Sequence, residues 1–222
     1  SGALPIHINA EGAKHFGDFF NFFLKGSSYN IQFNVIGTRK AVIYEDDAIT
    51  VTALPLKHRV PTMGFLFEEK PKLRHVNGEM ARFHNVPLHM YNNLRQGKDF
   101  VTPEGNTVPN SLLTTAADPS ISYAYCSDTA FSPRLVSMLH QPTWIYHEAT
   151  YADEYAKLAK QRGHSTASQA ATVAAQTGAK NLILGHYSKR YTDEQPLLLE
   201  AQQHFGGRVL LANEGMKIDL TK

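Results

Sequence analysis

Cysteine is almost missing: Cys126 is the only one in 222 residues. An intrachain disulfide is therefore excluded, a thiolate metal site is disfavoured, and a cytoplasmic location is expected. No stretch approaches the roughly 18 to 20 apolar residues that crossing a bilayer takes, so no membrane partner is expected. Net charge is small too, with 22 Lys and Arg against 20 Asp and Glu. That balance neither requires nor excludes a nucleic-acid partner, because a basic patch can sit inside a neutral total. No internal repeat or low-complexity run occurs. The chain opens Ser1-Gly2-Ala3-Leu4, with neither an initiator Met nor a basic-then-apolar signal, and so reads as a cut chain. The chain is 42% hydrophobic and 19% charged, which supports a real core, and its length fits one domain. Histidine is plentiful at 11 residues. It is the commonest metal ligand and the usual acid or base near neutral pH.

Periodicity divides the chain into three stretches. In the first, Glu11 to Leu24 carries Phe16, Phe19, Phe20 and Phe23 at helical spacing, with Asn9 as N-cap and Gly26 as stop. Asn30 to Ile36 alternates apolar and polar, which predicts a half-buried strand. Ala41 to Tyr44, Ile49 to Leu56 and Gly64 to Phe67 are further β-like runs. From Lys70 to Asp118 long apolar runs are few. This stretch reads as an inserted arm with too little apolar residue for its own core, and it carries Lys70, Lys72, Arg74, Arg82, Arg95 and Lys98. After it, strands and helices alternate. Strands are expected at Tyr123 to Cys126, Thr143 to Tyr146, Asn181 to Leu184, Val209 to Leu211 and Met216 to Leu220. Helices are expected from Ser132-Pro133 to His140, and over Asp153 to Gln161, Ser165 to Thr177 and Glu194 to Phe205.

Metal-capable residues fall at the carboxyl ends of four of these strands: His58, Asp128, His147-Glu148 and His186. Strand-end loops let a rigid sheet aim several side chains at one point. Imidazoles with a carboxylate suit zinc or manganese, and a carboxylate can bridge two ions. Taken singly, each of these histidines reads better as a satisfied core or turn residue than as a ligand; only the joint pattern brings the site reading level with that one. His164 stands just before a helix N-terminus, with Ser165 as the expected cap, where the dipole favours neutral imidazole or a nearby phosphate. Ser188, Lys189 and Arg190 suit a phosphate contact or a solvated turn. Cys126 reads as a small buried hydrophobe.

Several strings together resemble the ribonuclease Z family, tRNA 3′-processing endonucleases of the metallo-β-lactamase fold. They are Pro55-Leu56-Lys57-His58 with Gly64-Phe65, Tyr125-Cys126-Ser127-Asp128-Thr129, His147-Glu148-Ala149-Thr150, Gly163-His164-Ser165-Thr166 with Gln169-Ala170-Ala171, and Gly185-His186-Tyr187-Ser188 with Arg190-Tyr191. The resemblance implies an α/β (α+β) fold, the four-layer αββα sandwich, incomplete at its N-terminus, with residues 70–118 as the arm. It implies two Zn2+ per complete site, with Mn2+ or Mg2+ as alternatives. His58 and His186 would each ligate one ion and Asp128 would bridge them. Glu148 would orient His164, which would serve the leaving 3′-oxygen. The product would be a tRNA with a free 3′-hydroxyl. Ser188, Arg190, Arg95 and Lys98 would meet RNA phosphates, and the chain would pair as a homodimer.

Two departures stand out. No His-x-His-x-Asp-His string, the family's principal metal motif, occurs in the sequence. The resemblance therefore implies that the chain taken by itself has little or no nuclease activity. The arm also lacks the family's Gly-Pro pair at Val86-Pro87-Leu88-His89-Met90-Tyr91, although Leu94-Arg95-Gln96-Gly97-Lys98 fits it. Two other readings stay open: a hydrolase of small phosphodiesters or sulfate esters on the same fold, and a non-catalytic RNA-binding or dimerisation fragment.

Overall fold

The computed structural model describes residues 2–26 and 28–221. The chain folds as two units, Ser1–Glu68 with Ile121–Lys222, and Glu69–Ser120. The first begins with a βαβ turn: β1 (Gly2–Ile8), α1 (Ala10–Phe23) and β2 (Tyr29–Val35). The apolar run at Leu4 to Ile8 is thus a strand, paired in parallel with β2. The Asn9 side chain caps α1 by accepting from the Gly12 amide at 2.7 Å. Phe16, Phe19, Phe22 and Phe23 of this helix remain exposed; Phe16 stacks on Phe20, and Phe23 meets Phe19 and Phe22. Next come β3 (Ala41–Glu45), β4 (Ile49–Pro55) and β5 (Met63–Glu69).

The second unit holds β6 (His75–Val76), α2 (Gly78–Phe83), α3 (Tyr91–Arg95), β7 (Phe100–Val101), β8 (Thr107–Val108), α4 (Asn110–Leu113) and β9 (Thr114–Thr115). The sequence suggests too little apolar residue here for a core. In the structure Ala81, Val86, Leu94, Phe100, Val108 and Leu113 are buried together. They come from five short elements and, at Val86, from a loop, so no periodic run betrays them. Buried Asn110 ties the cluster by donating to the carbonyls of Leu94 and Lys98 at 2.8 and 2.9 Å.

The chain then completes the first unit with β10 (Ser122–Cys126), α5 (Pro133–Met138), β11 (Trp144–Glu148), α6 (Ala156–Arg162), α7 (Ala167–Thr177), β12 (Asn181–Gly185), α8 (Gln195–Gln202) and β13 (Arg208–Leu211). Seven strands form one mixed sheet in the order β13-β12-β11-β10-β5-β4-β3. β10 to β13 run parallel, and β5 runs antiparallel to β10. One face of the sheet, including Ala124, Cys126, Ile145, Leu182 and Leu184, packs on alanines of α7 and on Leu135 and Leu197 to form the main core. Alanine lets the helix approach closely, which keeps the parallel strand ends fixed.

Three expectations fail. Thr166, not Ser165, caps α7, through a capping box with Gln169. The Thr-x-x-Gln pattern is in the sequence, and Ser165 is drawn away because its hydroxyl donates to the Thr129 carbonyl at 2.6 Å. Met216 to Leu220 forms no strand. It follows a turn at positive-φ Gly215, and its Leu220 carbonyl instead accepts from the Trp144 indole at 2.9 Å. α5 stops at Met138, short of His140, because Leu139 turns extended and buries its side chain. No described helix is long and apolar enough to cross a membrane.

Candidate metal and acid–base site

The parallel register brings the site together. Cys126 pairs with His147 and His147 with Leu184, while Glu148 pairs with Gly185. Asp128, Glu148 and His186 therefore leave neighbouring strands at the same end of the sheet. Ligand-capable atoms of Asp128, Glu148, His164 and His186 all lie within 4.8 Å of one another. Asp128 and His186 both adopt positive φ, 56° and 59°. Non-glycine residues seldom do so, and such strain concentrates at functional sites.

Glu148 organises the group. Its side chain is fully buried and accepts from four donors: the Thr129 amide (2.6 Å), the Thr150 hydroxyl (2.6 Å), the Ser165 amide (3.0 Å) and His164 Nδ1 (2.9 Å). A carboxylate only accepts, so His164 carries its proton on Nδ1 and presents Nε2 outward. The same logic fixes His186. The Thr150 hydroxyl gives its proton to Glu148, so its oxygen accepts from His186 Nδ1 at 2.9 Å. His186 Nε2 then holds a lone pair. It lies 2.9 Å from Asp128 Oδ1, a buried oxygen with no hydrogen-bond partner. At that distance the two atoms attract only when they share a cation, either a proton on the imidazole, which makes them an ion pair, or a metal ion bound to both. The pair therefore fits a shared divalent ion.

His58 stands beside the group, its ring 5.0 Å from that of His164, with Nδ1 donating to the Gly163 carbonyl at 2.8 Å. Its Nε2 is left for a ligand role, although His58 lies outside the tight cluster. Gly163 is needed here. Its φ is +77°, and a Cβ would lie 2.9 Å from His58 Nδ1. Arg190 lies over the rings of Tyr155 and Tyr151, at 4.1 and 5.0 Å, and its Nε donates to Ser188 Oγ at 3.2 Å. Tyr151 meets the His164 ring edge-on at 6.3 Å. Arg95 and Lys98 are exposed and belong to the second unit.

Sequence reasoning missed Thr129, Thr150 and the Ser165 amide as partners of Glu148. The signal available was the hydroxyl-rich flanks of both acidic residues, Asp128-Thr129 and Glu148-Ala149-Thr150. Neighbouring groups are poor acid–base candidates. Burial pushes the Tyr146 hydroxyl and the Cys126 thiol up to about 12. His147 points into the core, fully buried; its Nδ1 meets the Glu148 carbonyl and its Nε2 has no partner. Burial lowers its pKa. The unfolded chain then binds the proton more readily below the ordinary value of about 6.5, so stability is full above that pH and falls as pH drops through it. Urea unfolding at pH 7.5 and 5.5 should show this loss. His147→Leu should flatten the dependence by up to about 1.4 kcal/mol per pH unit; an unchanged slope would show that His147 is not its source.

No family model matches the chain. Among solved structures it is similar to human tRNase Z, short form (TM-score 0.61, 18% identity, 99% of this chain and 69% of that one). It is equally similar to the metallo-β-lactamase fold protein YhfI of Bacillus subtilis (TM-score 0.61, 14% identity, 96% of this chain and 64% of that one). The mixed sheet, its helical face and the acidic–histidine cluster at the strand ends thus define a protein of the metallo-β-lactamase fold. Closer relatives narrow this. Ribonuclease Z of Parabacteroides distasonis is 43% identical over 221 residues, covering 99% of this chain and 72% of the relative. Ribonuclease Z of Porphyromonas gingivalis W83 is 43% identical over 222 residues, again covering 72% of the relative. The chain belongs to the ribonuclease Z family.

Proposed function

We propose that the chain serves hydrolytic removal of the 3′ trailer from precursor tRNA, leaving a 3′-hydroxyl on the tRNA and a 5′-phosphate on the trailer. The observation that carries this reading is the Asp128–His186 acceptor pair, 2.9 Å apart without a hydrogen bond, beside the Glu148–His164 pair. His58 and His186 would each help to hold one of two divalent ions, and Asp128 would be shared between them. Zinc suits this imidazole–carboxylate set, with manganese or magnesium as alternatives. When bound, a pair of such ions activates the attacking water and stabilises phosphoryl charge. His164 holds a proton at Nε2 for the departing 3′-oxygen, and Glu148 stabilises the imidazolium this requires. Arg190, braced on two tyrosines, and Ser188 meet a phosphate nearby. Arg95 and Lys98 grip tRNA from the second unit. A homodimer in the cytoplasm completes the reading.

The sequence holds no His-x-His-x-Asp-His string, so these residues supply only part of a two-ion ligand set. The activity expected is that of the chain together with a segment bearing the string; alone, it should hold zinc substoichiometrically. The RNA reading is tested by deleting residues 70–118. The Ser120 hydroxyl donates to the Lys70 carbonyl at 3.0 Å, so a short linker can close the gap. Cleavage of precursor tRNA should fall at least tenfold, and cleavage of a small chromogenic phosphodiester less than twofold. Equal losses on both substrates would make this segment structural and remove it from RNA binding.

A further inference from the structure

A cavity of about 660 Å³ opens beside His164 on the first unit. Lys57, Lys157, Lys160, Phe131 and Gln169 line it, and none of its lining residues is acidic. Lys157 and Lys160 sit three residues apart on α6, on one helical face. Lys57 leaves the end of β4, held by its amide on Thr129 Oγ1 and its carbonyl on the Ala130 amide. None of the three ammonium groups forms an ion pair with a described carboxylate. Three unpaired cations around a concave, partly apolar space select an anion that carries a flat or apolar body.

We infer that this cavity holds the nucleotide on the retained, 5′ side of the scissile bond, with its phosphate on the lysines and its base against Phe131. The inference rests on the nuclease reading given above and adds the direction in which RNA lies across the site. Among the described residues, His164 is the only one shared by the cavity and the acidic–histidine cluster. Its Nδ1 is taken by Glu148, and its ring stacks on His186 at 5.3 Å. The cavity includes none of Asp128, Glu148 or His186, so it adjoins the ion-binding group through His164. His164 is the residue assigned to the departing group, so the departing group belongs beside this cavity. That group is the 3′-oxygen of the last retained nucleotide. Aromatic stacking accepts any base, which suits a position whose identity varies among RNAs.

The test is equilibrium binding of two fluorescent single-stranded RNAs to the 222-residue chain. One ends in a free 3′-hydroxyl, as the retained side does; the other begins with a 5′-phosphate, as the trailer does. Lys57→Ala/Lys157→Ala/Lys160→Ala should weaken the first at least tenfold and the second less than twofold. It should also flatten the salt dependence of the first by about 0.7 in log–log slope for each phosphate that the lysines no longer neutralise. The three Lys→Arg replacements should restore binding. Equal losses, or a larger loss for the 5′-phosphate RNA, would overturn the assigned direction. Binding of both RNAs unaffected by the lysine changes would overturn the cavity assignment and leave the nuclease reading standing. If the unmodified chain binds neither RNA, both fall.

Discussion

Replacing His164 with alanine, in the chain joined to a segment bearing the His-x-His-x-Asp-His string, should lower turnover on precursor tRNA by a factor of about 10² to 10⁴, the span that general acid–base groups contribute. Zinc content and RNA affinity should change little. The reason lies in the hydrogen bonds: Nδ1 is committed to Glu148 at 2.9 Å, and the His164 side chain lines the cavity shared with Lys57 and Lys160. Because His164 also lies within the tight ligand-capable group, a ligand role is the direct competitor. Steady-state kinetics paired with metal analysis separates the two. A fall in turnover with zinc retained supports the proton-holding role, whereas a parallel loss of zinc makes His164 a ligand.

Glu148→Gln should do more damage than such a conservative change normally does. The carboxylate accepts from four donors, and two of them share each oxygen: Thr129 N and His164 Nδ1 on one, Thr150 Oγ1 and Ser165 N on the other. An amide replaces one of those acceptors with an NH₂ group, so two buried donors lose their partner. At roughly 1 to 3 kcal/mol each, the loss of stability should be about 2 to 6 kcal/mol, read by urea unfolding. Turnover should also fall to the level of His164→Ala. The double variant should be no slower than the worse single variant, since both act through one imidazole. Stability within about 0.5 kcal/mol of the parent, the range of an ordinary surface change, would mean that Glu148 is not the hub that its hydrogen bonds make it.

Much of this arrangement can be read from the sequence, because the strand runs before Asp128, Glu148 and His186 are short and apolar and the residues after them are polar. β-α alternation from Tyr123 onward fixes parallel strands, and parallel strands align their carboxyl ends. Helix ends with distinct caps, such as Asn9 and Gly178, also read correctly. What stays hidden depends on partners distant in sequence. Thr129 and Ser165 are ordinary hydroxyl residues until the fold sets them, 36 residues apart, against each other. The core of the second unit is assembled from single apolar residues on six short segments, where no period exists to detect. His147 and Glu148 are adjacent and equally ligand-like in the sequence. Strand alternation sends one into the core and the other into the site, and the register of β11 decides which.

The proposed reaction is attack of water on an RNA phosphodiester with the 3′-oxygen leaving. The most direct measurement is end mapping of a precursor tRNA incubated with zinc and the chain joined to a segment bearing the His-x-His-x-Asp-His string. A tRNA ending in a free 3′-hydroxyl together with a 5′-phosphorylated trailer is the predicted result. A 2′,3′-cyclic phosphate on the tRNA, or an intact precursor despite bound zinc, would contradict it.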